Sequence, residues 1–402
     1  MPTDRPEDAM TRVRESYATP DEFRQLWRKE PVREVTTADG RRAWQVTGMA
    51  EVRTVLSDPR FSRAETRRLA VSTAASVIFE APGNILDLDP PEHTRLRRLV
   101  ASTFTARRIR DMRPRIQEIA DNLIADMKTA TAPIDLNPVF CLPLPIAVIC
   151  EILGVPFGDR EEFRGYAERV FSAGAFSRDE SLRSLKSLAA YMTKLIADKQ
   201  ANPDGSLLES LTTARYEEDR LSEQELVHLS MSLLIAGHET TANMIGMGLV
   251  ALFDHPLQLA ALRDDPSLAP TAVDEVLRHI PLAINQDNGL VRATTEDVEL
   301  AGVTIPAHSA VYACQPAANM DPQAFDDPER FDITRTDAAD HMSFGHGPHH
   351  CLGAMLARIE LEVAFNSLLA AFPTLALAVP IEELAYQKGM IVTGLQSVPV
   401  TW

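Results

Sequence analysis

Phe344-Gly-His-Gly-Pro-His-His-Cys-Leu-Gly353, running on into Ala354-Met-Leu-Ala-Arg-Ile-Glu360, decides how this chain is read. Gly345, Gly347, Pro348 and Gly353 make a tight loop, and a helical pattern starts directly behind Cys351. Backbone N–H groups of such a loop and helix start point at the sulfur, favour thiolate over thiol and hold it as a ligand. Gly353 removes a side chain where a flat macrocycle would approach. A free cysteine is most often a small buried hydrophobe, and Cys141, Cys150 and Cys314 are read that way. A core cysteine needs no such loop. His341, His346, His349 and His350 beside Cys351 raise zinc as a rival. Neighbours on a tight turn do not easily converge on one tetrahedral ion, which weakens that reading.

Outward from the loop, helical periodicity dominates, at about 49–57, 92–103, 112–130, 139–153, 159–175, 179–200, 222–254, 256–262, 267–279 and 353–371. Val32–Thr36 and Ala43–Thr47 flank Asp39-Gly40 and read as a β-hairpin. Val291–Ala313 and 390–402 add further strands. The expected fold is mainly α with a small β part built from distant segments, and residues 1–402 read as one domain. The helix at 222–254 is the longest. Ser222 and Glu225 form a capping box at its start, and its length of about 45–50 Å passes through the centre of the molecule. Its apolar run carries Ala236-Gly-His-Glu-Thr-Thr241, where Gly and Thr are poor helix formers and a buried Glu is costly. Such a cluster is a satisfied structural network or a site. Gly246-Met-Gly248 imitates a dinucleotide fingerprint, but no strand precedes it.

The net charge of −17 disfavours nucleic acid and anionic membranes as general partners. Against it stands a basic island: Arg95, Arg97, Arg98, Arg107, Arg108, Arg110, Arg113 and Arg115, with one acid, Asp111. It is either a solvated helix face or a docking patch for an acidic partner. Four cysteines without paired spacing fit a reducing cytoplasm. The polar start Met1–Glu15 is neither signal peptide nor anchor, and Val139–Leu153 is too short and interrupted to span a bilayer, so no membrane partner is expected.

The loop resembles the haem-binding signature of the cytochrome P-450 family, Phe-Gly-x-Gly-x-His-x-Cys-x-Gly, at every specified position. The resemblance implies a prism of helices around haem b, soluble and bacterial in type, with Cys351 as the axial iron ligand and Phe344, Gly345 and Gly353 shaping its loop. It implies that His93 and Arg97, in Asp89-Pro-Pro-Glu-His-Thr-Arg-Leu-Arg97, bind the haem propionates together with Arg292 and His349. Ala236-Gly-x-Glu-Thr-Thr241 is similar to the family's oxygen-binding helix. There Thr240 would hydrogen-bond dioxygen, Glu239 would relay protons, and Ala236 and Gly237 would border the haem, with a local opening of the helix near Gly237. Glu275-x-x-Arg278 is similar to the family's buried structural pair, with Arg330 of Pro328-Glu-Arg-Phe as its third member. Met320, His308 and Thr393 stand where bacterial relatives commonly carry Arg, Gly and Arg.

By the same analogy, Ile78, Phe79, Ala236, Ala283, Ile284, Met390 and Ile391 make an apolar wall for a small organic substrate, with Asn285, Gln286 and Asn288 as polar contacts or turn caps. The implied activity is monooxygenation with O2, hydroxylation or epoxidation, in secondary metabolism. Electrons would come from a separate acidic ferredoxin or flavodoxin docked on Arg95, Arg98, Arg107, Arg108, Arg110 and Arg113 of a monomer. Oxidative coupling on the same scaffold is the rival chemistry. The Glu239–Thr240 pair argues against a peroxide-driven enzyme and against a haem sensor.

Overall fold

The computed structural model describes residues 30–37, 40–69, 84–170, 175–213, 215–216, 219–282, 289–387, 390 and 392–402. The principal helices are α1 (Met49–Ser57), α2 (Glu92–Thr103), α3 (Arg113–Met127), α4 (Pro143–Leu153), α5 (Arg160–Val170), α6 (Arg178–Ala201), α7 (Glu223–Asp254), α8 (Pro256–Asp264), α9 (Ala269–His279) and α10 (Ala354–Ala371). Short helices at Ala106–Asp111 and Leu207–Thr212 lie between the longer patterns. The expected helix at 139–153 divides: a π-helical turn, Asn137–Cys141, precedes α4, which starts at Pro143. A proline at the first helical position costs nothing, because its missing N–H would have no partner there.

α7 forms the axis. Ser222 and Glu225 satisfy each other's backbone N–H groups at its start, and most of its residues from Leu226 to Leu252 are buried. Two glycines bring neighbouring helices onto it. A Cβ at Gly237 would lie 2.9 Å from Ile149 of α4. One at Gly248 would lie 2.7 Å from Phe365 of α10 and 2.9 Å from Val276 of α9. Gly248 therefore serves helix packing.

A five-stranded sheet stands beside the helices. Its strands are β1 (Val32–Thr36), β2 (Arg42–Val46), β3 (Phe61–Ser62), β4 (Leu290–Thr294) and β5 (Ala310–Ala313), in the order β1-β2-β5-β4-β3. β1 and β2 form the expected hairpin, Val35 opposite Ala43, and β2 pairs parallel with β5. β4 pairs antiparallel with β3 and β5, which places Arg292 opposite Val311. His308 takes φ +57, a conformation that favours glycine, in the turn leading to β5.

The Glu275–Arg278 pair is fully buried. Arg278 donates to Glu275 Oε2 at 2.7 Å and Oε1 at 2.9 Å. Its remaining N–H groups reach the carbonyls of Asn319 and Pro328, each at 2.8 Å. The third member differs from expectation. The Arg330 side chain is 63% exposed and pairs with Asp332, and only its carbonyl approaches Arg278, at 3.4 Å. Arg335, 8% exposed, brings its guanidinium to within 3.6 Å of Glu275. The loop turns back after Asp327, whose φ is +43, so backbone at 328 and 330 faces the pair while the side chain of Arg335 closes it. No single helix among the described residues is long and apolar enough to cross a membrane.

Candidate active site

The cysteine loop rests on the end of α1. Gly345 and Gly347 have φ of +73 and +68, and a Cβ at Gly347 would lie 2.5 Å from the Leu56 carbonyl. Cys351 N–H donates to Phe344 O at 2.8 Å, which closes the turn. Arg358 stacks over Phe344, 4.6 Å from the ring centroid, and binds Asp274 of α9 at 2.7 Å. Cys351 is exposed, whereas Cys141, Cys150 and Cys314 are buried. Desolvation of the sulfur holds its thiol above the usual range. Hydrogen bonds from the backbone of Gly353 and Ala354 and the charges of Arg97 and Arg358 oppose that. Gly353 has φ −85, and its nearest would-be neighbour is the Cys351 sulfur at 3.9 Å. The protein itself does not require a glycine there. Among the described residues no group of three or more His, Cys, Asp or Glu side chains is placed to hold a metal ion, so the zinc rival finds no geometry.

Beside the loop lies an uncompensated cationic cluster. The His93 ring, on α2, sits 4.0 Å from that of His349. His93 Nδ1 and His349 Nε2 are buried without a hydrogen-bond partner. Arg292, 4% exposed, donates to its neighbour's carbonyl at Val291, and Arg97 donates to His350 O at 2.6 Å. Burial, then the Arg97 charge, pushes His93 down to about 4. Burial, then His93, pushes His349 down to about 3. Burial and the Arg63 charge lower Arg292 to about 10. Asp89 is the nearby acid, and it is taken up by Ser62 and by the backbone N–H groups of Arg63 and Ala64. Two buried histidine nitrogens without partners, beside arginines whose charges act on them, are a site for an anion, and two carboxylates would satisfy them. The haem propionates fit this set, as the open space at Gly353 fits the ring.

Arg63 was not legible beforehand. Its guanidinium is 11% exposed, pairs with Asp87 at 3.1 Å and donates to Leu86 O at 2.9 Å. Its charge acts on Arg292 and His349. It belongs to the cluster only because β3 pairs with β4, a contact more than two hundred residues apart in sequence.

Across α7, Thr240 Oγ1 donates to Ala236 O at 2.8 Å, and Ala236 is exposed. Glu239 is 6% exposed and its Oε2 has no partner. Burial, then the Glu168 charge, pushes its carboxyl up to about 8. The expected opening near Gly237 is not present. α7 is one continuous helix from Glu223 to Asp254, and Gly237 accommodates Ile149. Met390 is half-buried. Ile78, Phe79, Ala283, Ile284, Asn285, Gln286, Asn288 and Ile391 lie outside the described residues. The structure adds Asn243 on α7, 7% exposed, with an unpartnered Nδ2 and packed on Gly394. Thr393 N–H binds Leu282 O at 2.8 Å, so the segment behind Met390 is tied to the end of the 281–282 stretch.

The basic island divides. Arg95 pairs with Glu225, Arg113 with Glu362 at 2.7 Å, and Arg115 with Glu151 and Glu118, each at 2.6 Å. Arg108 donates to Gly205 O at 2.6 Å and Ser210 Oγ at 3.0 Å. Arg98, Arg107 and Arg110 remain exposed.

An anion-hungry cluster beside an exposed cysteine, with a buried acid and a threonine on the central helix, defines a haem-thiolate protein. The chain belongs to the cytochrome P-450 family, whose sequence profile matches residues 177–382. It is 41% identical to nocardicin C N-oxygenase of Nocardia uniformis subsp. tsuyamanensis, over 93% of each chain. It is 40% identical to mycinamicin IV hydroxylase/epoxidase of Micromonospora griseorubida, over 94% of each. Its fold is similar to that of the LnmA hydroxylase from the leinamycin pathway of Streptomyces atroolivaceus, with a TM-score of 0.88 and 41% identity over 96% of this chain and 97% of that one. It is a monooxygenase with a haem-iron cofactor, an organic substrate, O2 and electrons from a redox partner.

Proposed function

We propose that the protein inserts one oxygen atom from O2 into a small, largely apolar metabolite, by hydroxylation or epoxidation, as a tailoring step of bacterial secondary metabolism. Residues 1–402 act as a single cytoplasmic, monomeric domain. The cofactor is haem b, held through Cys351 by its iron and through His93, Arg97, Arg292 and His349 by its propionates. When bound, thiolate-ligated haem supplies the activation of dioxygen. The chain's own residues do the rest. Glu239 holds a proton in a dry environment, and Thr240 stands one residue on with a hydroxyl that can exchange its Ala236 partner for an incoming oxygen. Ala236 and Met390 belong to the substrate wall. An acidic ferredoxin or flavodoxin approaches the arginines left exposed, Arg98, Arg107 and Arg110.

One observation carries this reading: two buried histidine nitrogens without partners beside two arginines and an exposed cysteine. The test is the carbon monoxide difference spectrum of the reduced protein beside a Cys351→Ser control. The red-shifted Soret band of thiolate-ligated haem should form and be lost in the control. Haem bound with that band absent from both proteins would remove Cys351 from its role.

A further inference from the structure

We infer that Arg358 is a positioning residue for the Cys351 thiolate: Asp274 and His341 hold its guanidinium over Phe344, and its charge there sets how firmly the sulfur keeps its negative charge. The reduction potential of the iron that the sulfur ligates follows from it. The inference rests on the proposed role of Cys351 as axial ligand and extends it to the residue behind its loop.

Three segments give the geometry. Arg358 stands on α10, seven residues after Cys351. Its guanidinium lies over the Phe344 ring, 4.6 Å from the centroid. The carbonyl of Phe344 accepts the Cys351 N–H at 2.8 Å, so the cation sits on the residue that closes the turn. Arg358 Nε donates to Asp274 Oδ1 of α9 at 2.7 Å, and His341 Nε2 lies 3.6 Å from the same oxygen. Ser343 N–H donates to His341 Nδ1 at 3.0 Å, so the imidazole proton is on Nε2, beside the carboxylate. The His341 ring is buried, 5.4 Å from that of Phe344. This frame is tied to the Glu275–Arg278 pair through Asn319. The Asn319 carbonyl accepts from Arg278 at 2.8 Å, while its side chain accepts from Met342 N–H at 2.6 Å and donates to Ser343 Oγ at 2.8 Å. The Ser343 hydroxyl donates to Leu277 O, so 341–344 and Asp274 are both fixed to α9.

Arg358 is 29% and Asp274 17% exposed, and an ion pair so placed adds little to stability. Its effect on the sulfur is electrostatic. Burial works against the thiolate, and the Gly353 N–H, the Arg97 charge and the Arg358 charge favour it. Arg97 is turned to His350 O in the propionate cluster, whereas Arg358 acts from the helix behind the loop. A cation favours whichever form carries more negative charge: thiolate over thiol, and ferrous over ferric iron. Asp274 offsets part of that cation. The pair therefore sets a field between those of a bare arginine and of no charge.

Spectroelectrochemical titration of the substrate-free holoprotein tests this, beside the carbon monoxide difference spectrum of each variant. Arg358→Gln should lower the reduction potential, because the sulfur loses a cation. Asp274→Asn should raise it, because the cation loses its counter-charge. Arg358→Lys should lie between Arg358→Gln and the native protein. The red-shifted Soret band should persist in Asp274→Asn, so that variant reads the field even where Arg358→Gln retains too little haem. A purely structural role would loosen the loop in both variants and move both potentials the same way. A potential that falls or stays in Asp274→Asn, or that does not fall in Arg358→Gln, would overturn the role of Arg358 alone. Absence of the thiolate band from the native holoprotein would overturn Cys351 as ligand and this inference with it.

Discussion

At the residue scale, the cationic cluster is the most consequential feature, because its costs are visible before any cofactor is added. His93 and His349 sit near 4 and 3 in the folded chain, against about 6.5 when unfolded. Their folded values are depressed, so as pH falls below about 6.5 the unfolded chain takes up protons that the folded chain does not. Stability should therefore fall between about pH 6.5 and 4, by up to about 3 kcal/mol for His93. Propionates raise both values towards normal and remove much of that loss. Urea midpoints against pH should show a steep acid decline for the haem-free protein and a shallow one for the holoprotein. Equal slopes would mean that the histidines do not meet the propionates.

The buried pair on α9 gives a second residue-scale test. Removing one partner of a fully desolvated ion pair costs about 3–5 kcal/mol, so Glu275→Ala or Arg278→Ala should leave little folded protein. Arg335→Ala removes a buried charge from the same carboxylate and should destabilise measurably. Arg330→Ala alters a side chain that is 63% exposed and should stay within about 0.5 kcal/mol. A reversed order in urea denaturation would return the third position to Arg330. The sequence could not make that choice. It places both arginines after Pro328, and the loop reversal at Asp327 decides which side chain turns inward.

At the scale of elements, two glycines separate packing from cofactor space. Gly237→Ala puts a methyl 2.9 Å from Ile149, so it should cost about 1–3 kcal/mol and be relieved in part by Ile149→Val. Gly353→Ala meets nothing closer than 3.9 Å and keeps an ordinary φ. It should leave the thermal midpoint of the haem-free protein unchanged while weakening haem retention. A large loss of haem-free stability in Gly353→Ala would make that glycine a packing residue. The same contrast shows what was legible. Helix positions follow local periodicity and caps such as Ser222 with Glu225, and α1, α2 and α7 to α10 lie close to the spans expected. What Gly237 does depends on which helix lies across it, and sequence holds no local signal for that. The family resemblance therefore implied a helix opening where the fold has a close crossing.

At the scale of the whole molecule, the proposed acidic electron donor has to approach a chain of net charge −17, and the fold decides how much basic surface is left to receive it. Eight arginines between 95 and 115 look like one patch in sequence. Folding takes Arg95, Arg113 and Arg115 into ion pairs with Glu225, Glu362 and Glu151, and turns Arg108 towards backbone at Gly205. These pairings were invisible because their acids come from other helices. Docking should then depend on Arg98, Arg107 and Arg110, with Arg107 89% exposed and only loosely paired to Asp111 at 3.8 Å. Exposed charges act chiefly on encounter rate and are screened by salt. Arg107→Glu with Arg110→Glu should slow reduction by an acidic ferredoxin several-fold at low salt and flatten its salt dependence, with haem spectrum and thermal midpoint unchanged. Arg95→Glu breaks a pair with the start of α7 and should instead lower the thermal midpoint. Stopped-flow reduction across a range of salt concentrations separates the two. If the double variant is reduced as fast as the native protein at every salt concentration, the donor docks elsewhere and the exposed arginines are solvated surface.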